Sequence, residues 1–142
     1  MENSLSIIAI ALSIISFVFA LFSFVWTNCR DRKQATFEAF NRLQDEVFDK
    51  INLLSKTDVK NIAEHSRDAK FTEYTQFLAR IEQFCIGVFS KIYDTKITEK
   101  IAGKYLCSIY EKSLPIIEKK RMIYPDEPQC IYFEKIVRKI NK

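Results

Sequence analysis

A chain of 142 residues with 22 Lys+Arg, 18 Asp+Glu and a formal net charge of +4 is long enough for one domain, or for one small domain with an accessory segment. Only 2 Gly and 3 Pro are present, which argues against β-sandwiches, barrels and glycine-rich phosphate loops, all of which consume turn residues. Apolar residues make up 48% but are unevenly spread: residues 5–26 carry no charge, and every Lys and Arg lies at or beyond Arg30.

The first element is the uncharged run Leu5–Trp26, LSIIAIALSIISFVFALFSFVW. At 1.5 Å rise per residue it covers the roughly 30 Å hydrocarbon core, so a transmembrane helix is predicted over 5–26. A cleaved signal peptide would want a basic start, a shorter apolar run and a small-residue cleavage site. Here the start is Met-Glu-Asn-Ser and the run closes on Phe24-Val25-Trp26. Trp26-Thr27-Asn28 before Cys29 likewise lacks the small residues of a lipoprotein signal. Arg30, Arg32 and Lys33 follow the span directly, and only Glu2 and the amino terminus precede it. The positive-inside rule then predicts a single-pass protein of the inner (plasma) membrane, with its amino terminus outside and residues 27–142 forming a cytoplasmic helical domain.

Within the span, Ser6, Ala9, Ser13, Ser16, Ala20 and Ser23 recur at spacings of 3, 4, 3, 4 and 3, a heptad seam that no large residue interrupts. In lipid, small residues let helix backbones approach and serine hydroxyls can hydrogen-bond between helices. The seam points to a left-handed homo-oligomer through the transmembrane helix. The plainer possibility is that Ser and Ala are merely tolerated there and the stripe faces nothing.

Beyond the span, Phe37, Phe40, Leu43, Val47, Phe48, Ile51 and Leu54 give a helical pattern over 36–56. Residues 27–35 hold no helix breaker, so this helix can run straight out of the membrane, although it also reads as the ordinary first helix of a bundle. Residues 57–70 are polar and predict a short helix or loop. A strongly amphipathic helix follows over 72–92, then one capped by Asp94 or Thr95 that carries Ile97, Ile101, Leu106, Ile109 and Tyr110. Pro115 predicts a kink or restart with Ser113 as cap. Residues 124–128 are the clearest loop, and Phe133, Ile136, Val137 and Ile140 mark a last helix. The fold expected is all-α: one N-terminal transmembrane helix and a four- to five-helix cytoplasmic bundle.

Gly87 and Gly103 lie eight residues either side of Thr95. In a hairpin turning there they would face each other, and with Ala102 they predict a close helix crossing. Two unrelated surface glycines are the alternative.

Chemistry-bearing patterns are sparse. His65 stands alone beside Glu64, without HExxH spacing or a cysteine cluster, and reads as a solvated side chain. Cys29, Cys85, Cys107 and Cys130 form no CxxC; the last three fall in apolar stretches and read as packing residues, while Cys29 is juxtamembrane. Walker, dinucleotide-binding and nucleophile-elbow motifs are absent, so no enzyme activity, cofactor or metal is expected. Charge is asymmetric: residues 27–90 hold ten basic and ten acidic residues, whereas 91–142 hold twelve and seven. Lys96, Lys100 and Lys104 repeat on one helix face, and Lys119, Lys120 and Arg121 form a second cluster. Both are candidates for contact with anionic lipid or a cytoplasmic protein partner, or simply a solvated lysine face. Nucleic acid is disfavoured, since no aromatics interleave with the basic stripe.

From residue 71 onward, Tyr74, Phe77-Leu78, Ile81-Glu82, Ile86-Gly87 and Ile92-Tyr93-Asp94 carry a family likeness. Tyr110-Glu111, the run from Pro115 to Arg121, and Tyr132-Phe133-Glu134 continue it. On these the chain resembles a bacterial family of small single-pass membrane proteins whose shared helical cytoplasmic domain has no assigned function. The resemblance covers about half the chain and implies the architecture, with no catalytic residue to carry over. Two functions remain in view. One is a non-enzymatic, self-associating membrane module that binds a protein partner or senses a cytoplasmic signal. The other is a membrane-perturbing effector of the phage-defence or toxin type, whose clustered spans depolarise the membrane.

Overall fold

The computed structural model describes residues 2–127 and 129–142, with side chains from Ile7 onward. All regular structure among them is helical. Helix α1 (Glu2–Leu43) passes without a break through a π-helical segment (Gln44–Phe48) into α2 (Asp49–Leu53). Then come α3 (Lys56–Glu64), α4 (Ala69–Phe89), α5 (Thr95–Ile123) and α6 (Ile131–Ile140). The breaker-free stretch 27–35 therefore joins the apolar N-terminal segment and the first bundle helix into one rod. The expected all-α architecture is the one adopted, the inner part of the rod and α3–α6 making the bundle.

The rod has two regimes. Every large apolar side chain described from Ile7 to Trp26 is exposed, between 51% at Leu21 and 70% at Phe19. From Thr36 inward one face is buried: Thr36, Phe40, Leu43, Val47, Phe48 and Ile51. The π segment makes the last part possible. In an unbroken α-helix Phe48 would lie roughly 120° around the axis from Thr36, at the edge of the buried face. Inserting a wider turn, in which the Asp49 N–H reaches back five residues to the Gln44 carbonyl, rotates Phe48 toward the core. There its ring meets Phe40 at 5.9 Å and stacks on Tyr105 at 6.0 Å between centroids.

The other elements are set by caps and by one apolar core. Ser55 and Asp58 form a reciprocal capping box that starts α3. Asp94 caps α5, its Oδ1 accepting from the Ile97 N–H at 3.0 Å. Helix α6 has no side-chain cap of its own, because Cys130 precedes it in a left-handed conformation (φ 55°). Glu82 on α4 supplies the missing acceptors, taking the Tyr132 and Phe133 N–H groups at 2.9 and 2.8 Å and pinning α6 across the α4–α5 hairpin. Helix α5 runs alongside the rod in the same direction. The Asp94 N–H reaches Thr36, Tyr105 meets Phe40 and Phe48, and Lys112 donates to the Ile51 carbonyl at 2.8 Å.

Three expectations are corrected. Helix α5 neither breaks nor restarts at Pro115. The carbonyl deprived of a donor there belongs to exposed Glu111, while Ile109, Ile116 and Ile117, buried on either side of the proline, hold the helix in place. Ser113 is no cap: it is buried in mid-helix and its Oγ lies 2.9 Å from the Tyr74 hydroxyl. Gly87 and Gly103 do not meet. Helix α4 ends at Phe89 and the turn centres near Ile92 rather than Thr95, so the two glycines are out of register. A Cβ on Gly87 would lie 2.4 Å from the Tyr93 ring, and one on Gly103 would rest 3.5 Å from Ile140 of α6.

Candidate functional site

Ala9, Ser13, Ser16, Ala20 and Ser23 are exposed along the outer half of α1, as are all the residues described around them; the Ser6 side chain lies outside the described residues. The Ser13 hydroxyl donates back to the Ala9 carbonyl at 2.9 Å. Its oxygen thus stays free as an acceptor on a surface with little side-chain bulk. Phe22 and Trp26 stack at 6.2 Å at the end of this stretch.

Ten residues past Trp26 the rod is gripped by the turn between α4 and α5. The Thr36 hydroxyl donates to the Arg32 carbonyl at 2.7 Å and accepts the Asp94 N–H at 2.8 Å. Arg32 Nη2 reaches the Tyr93 carbonyl at 3.4 Å, while its Nε is buried without a partner among the described residues. Since Asp94 also caps α5, a chain of hydrogen bonds runs from the end of the apolar segment to the first turn of the longest bundle helix. The turn itself is a Schellman motif. The Lys91 N–H bonds the Val88 carbonyl at 3.2 Å and the Ile92 N–H bonds that of Gly87 at 2.9 Å. Lys91 occupies the left-handed position (φ 59°) where glycine is usual. Sequence reading missed this collar, because Thr36 and Asp94 are 58 residues apart and neither belongs to a recognisable motif.

The two basic clusters do not form one surface. Lys96, Lys100 and Lys104 are exposed and climb α5 from the collar. Lys119 begins the second cluster about 22 Å beyond Lys104 along the same helix. Arg121 in that cluster is occupied: its Nη2 donates to the Gln129 carbonyl at 3.0 Å and to Glu134 at 2.7 Å. The hydrogen bond from Arg121 holds the Glu134 carboxyl below its ordinary value, and Glu134 in turn raises the guanidinium. Arg121 is therefore a clamp between α5, the loop and α6 rather than a free contact.

The remaining concavities are shallow. A cleft of about 410 Å³ between α3 and α4 is lined by Leu54, Asp58, Ile62, His65, Tyr74 and Phe77, among others. His65 is exposed there with Nδ1 2.9 Å from the Asn61 carbonyl oxygen. Among the described residues no three His, Cys, Asp or Glu side chains converge on a point. A groove of about 750 Å³ at the far end of α5 includes Arg67, Phe71, Lys120, Ile123 and Tyr124. Burial pushes the Cys85 thiol well up and the Cys130 thiol up to about 11, so both are unreactive packing groups; Cys130, however, lies ahead of α6 rather than in a helix.

A family described as "Domain of unknown function (DUF4760)" matches residues 10–140. The chain belongs to this family. The match begins within the apolar segment and ends in the last turn of α6, so it takes in the uncovered half of the rod, the collar and the bundle together. No curated protein and no solved structure is similar to the chain.

Proposed function

We propose that this DUF4760 member is a bacterial single-pass protein of the inner membrane. Its amino terminus is outside, its bundle is cytoplasmic, and it self-associates through the span as a non-enzymatic module that reports a cytoplasmic signal or engages a protein partner. The observation that carries this is the rod: one helix, apolar on all sides and covered by nothing from Ile7 to Trp26, continues rigidly into the bundle core. A helix hydrophobic all round belongs in lipid, and the uncharged run from Leu5 to Trp26, with Arg30, Arg32 and Lys33 on the inner flank, supports both insertion and orientation. Because the collar ties α5 to the rod, a change in the separation or rotation of associated spans moves the bundle as a unit. Lys119 and Lys120, far from the bilayer in this arrangement, are left for a soluble partner.

Cross-linking of the full-length chain in bacterial membranes tests the assembly. Ser13→Ile with Ser16→Ile fills the seam and abolishes the cross-linked dimer or higher species, whereas Ile14→Leu with Ile15→Leu leaves them. Equal cross-linking in all three chains removes the seam from the mechanism. A potential-sensitive dye in the same cells separates the effector alternative: depolarisation that the seam variant abolishes would make the clustered spans a leak.

A further inference from the structure

We infer that the α4–α5 turn is a second membrane contact, resting on the anionic interface of the bilayer that the span crosses; this depends on the span being inserted as proposed above. Arg32 lies six residues past Trp26, about 9 Å along a continuous helix, and the polar layer of a bilayer is roughly 5–8 Å deep on each side. The Tyr93 carbonyl that Arg32 holds is therefore within a side-chain length of the headgroups, fixed by a rod that has no joint between the two. What the turn displays at that level fits an interface. In a Schellman motif the residue at the Ile92 position normally packs on the helix three to four residues before its end. One of those positions is Gly87, whose space is filled by the Tyr93 ring, and Ile92 is left 59% exposed. Behind it on α4, Ile86 is 40% exposed and Phe89, packed edge-on against Tyr132 of α6 at 5.3 Å, is still 43% exposed.

Exposed basic groups stand at the same level: Lys91 in the turn, Lys96 in the first turn of α5, and Arg30 and Lys33 on the rod beside Arg32, against Asp31, which pairs with Arg30 at 3.7 Å, and Asp94, which is occupied in capping α5. Lys91 stands in a left-handed backbone conformation that glycine would adopt without strain, so a cation is kept there at a conformational cost. Exposed aliphatic and aromatic groups with cations at the same level, tethered at headgroup depth, match anionic phospholipid rather than a soluble protein surface.

The test uses the full chain, with Cys29 and Cys107 changed to Ser, in vesicles of phosphatidylglycerol and phosphatidylethanolamine. One environment-sensitive fluorophore is placed in turn at Val18→Cys, Ile92→Cys and Met122→Cys, and quenching by aqueous iodide is read. Position 18 reports the span, and position 122, exposed near the far end of α5, reports water. Position 92 should be quenched several-fold less than 122, and Lys91→Gln should shift its bound-to-free ratio about fivefold toward water, the factor expected per basic residue at an anionic surface. A shielded 18 with 92 quenched as fully as 122 overturns the second contact and leaves the anchor standing. An 18 quenched like 122 overturns both.

Discussion

Phe17 and Phe40 stand on one uninterrupted helix, yet the first is 65% exposed and the second 6%. The outer part of the rod carries no charge on any face and, among the described residues, is exposed throughout; the inner part is apolar on one face and fills a core. The difference lies in pattern more than in composition. A helix that presents a single stripe is solved by packing protein against it, whereas one with no polar face has no orientation that water accepts. The same backbone thus specifies two environments, and the boundary falls at the basic residues Arg30, Arg32 and Lys33.

The largest effect that sets these halves apart is expected at the rings. Phe48→Ala empties a fully buried site between Phe40 and Tyr105 and should destabilise the bundle by about 3–5 kcal/mol. Phe17→Ala removes the same atoms from a surface no protein covers and should leave the bundle's unfolding midpoint unchanged. Urea titration of the full chain in detergent micelles, followed by tyrosine fluorescence, measures both. Equal losses would mean that the outer half also packs on the bundle.

The contrast between the halves was legible in the sequence because hydrophobic period and charge are local signals. The helices expected over 36–56 and 72–92, and a last one carrying Phe133, Ile136, Val137 and Ile140, follow from the same signals, as does the Asp94 cap. What was not legible depends on distant partners. Nothing near Glu82 indicates that it ends 50 residues away as the cap of α6, and nothing near Thr36 points to Asp94. The π segment escaped because Val47 and Phe48 are adjacent apolar residues, which an α-helical count assigns to one stripe without asking how both fit. The expected crossing at Gly87 is not there because its neighbour is a ring six residues on rather than another helix, and equal spacing from a turn does not reveal that. Charge alone did not show that Arg121, unlike the other members of the basic clusters, is taken up by Gln129 and Glu134.

The junction between the halves should respond next most strongly. Gly87→Ala places a methyl 2.4 Å from the Tyr93 ring, which also stacks on Phe84 at 5.3 Å. The ring must move, and with it the carbonyl that Arg32 holds. A loss of about 1–3 kcal/mol is expected in the same urea titration. Gly103→Ala meets Ile140 at ordinary contact distance and exchanges glycine for the best helix former, so it should be neutral or stabilising by up to about 1 kcal/mol. Matching losses at the two glycines would mean that they do share a crossing.

The smallest effect concerns protons and separates the halves in another way. The apolar segment from Leu5 to Trp26 holds no acidic or basic residue, so it has nothing to titrate in acid. In the bundle, the hydrogen bond from Arg121 holds the Glu134 carboxyl below its ordinary 4.5, with Arg138 adding to the effect. Between that lowered value and 4.5 the unfolded chain binds more protons at this site than the folded one, so stability rises with pH across the window. The stabilisation is complete above 4.5 and is lost as pH falls through the folded value. Glu134→Gln should therefore lower stability near neutral pH by no more than about 1 kcal/mol, since both partners are partly solvated, and should flatten the dependence on the acid side. Circular dichroism on acidification should show the bundle's helices melting earlier than the apolar outer half of the rod, whose signal persists in micelles. An unchanged acid slope in Glu134→Gln would assign the sensitivity to another carboxylate, with Asp58 the next to examine because its hydrogen bond from Ser55 lowers it in the same sense.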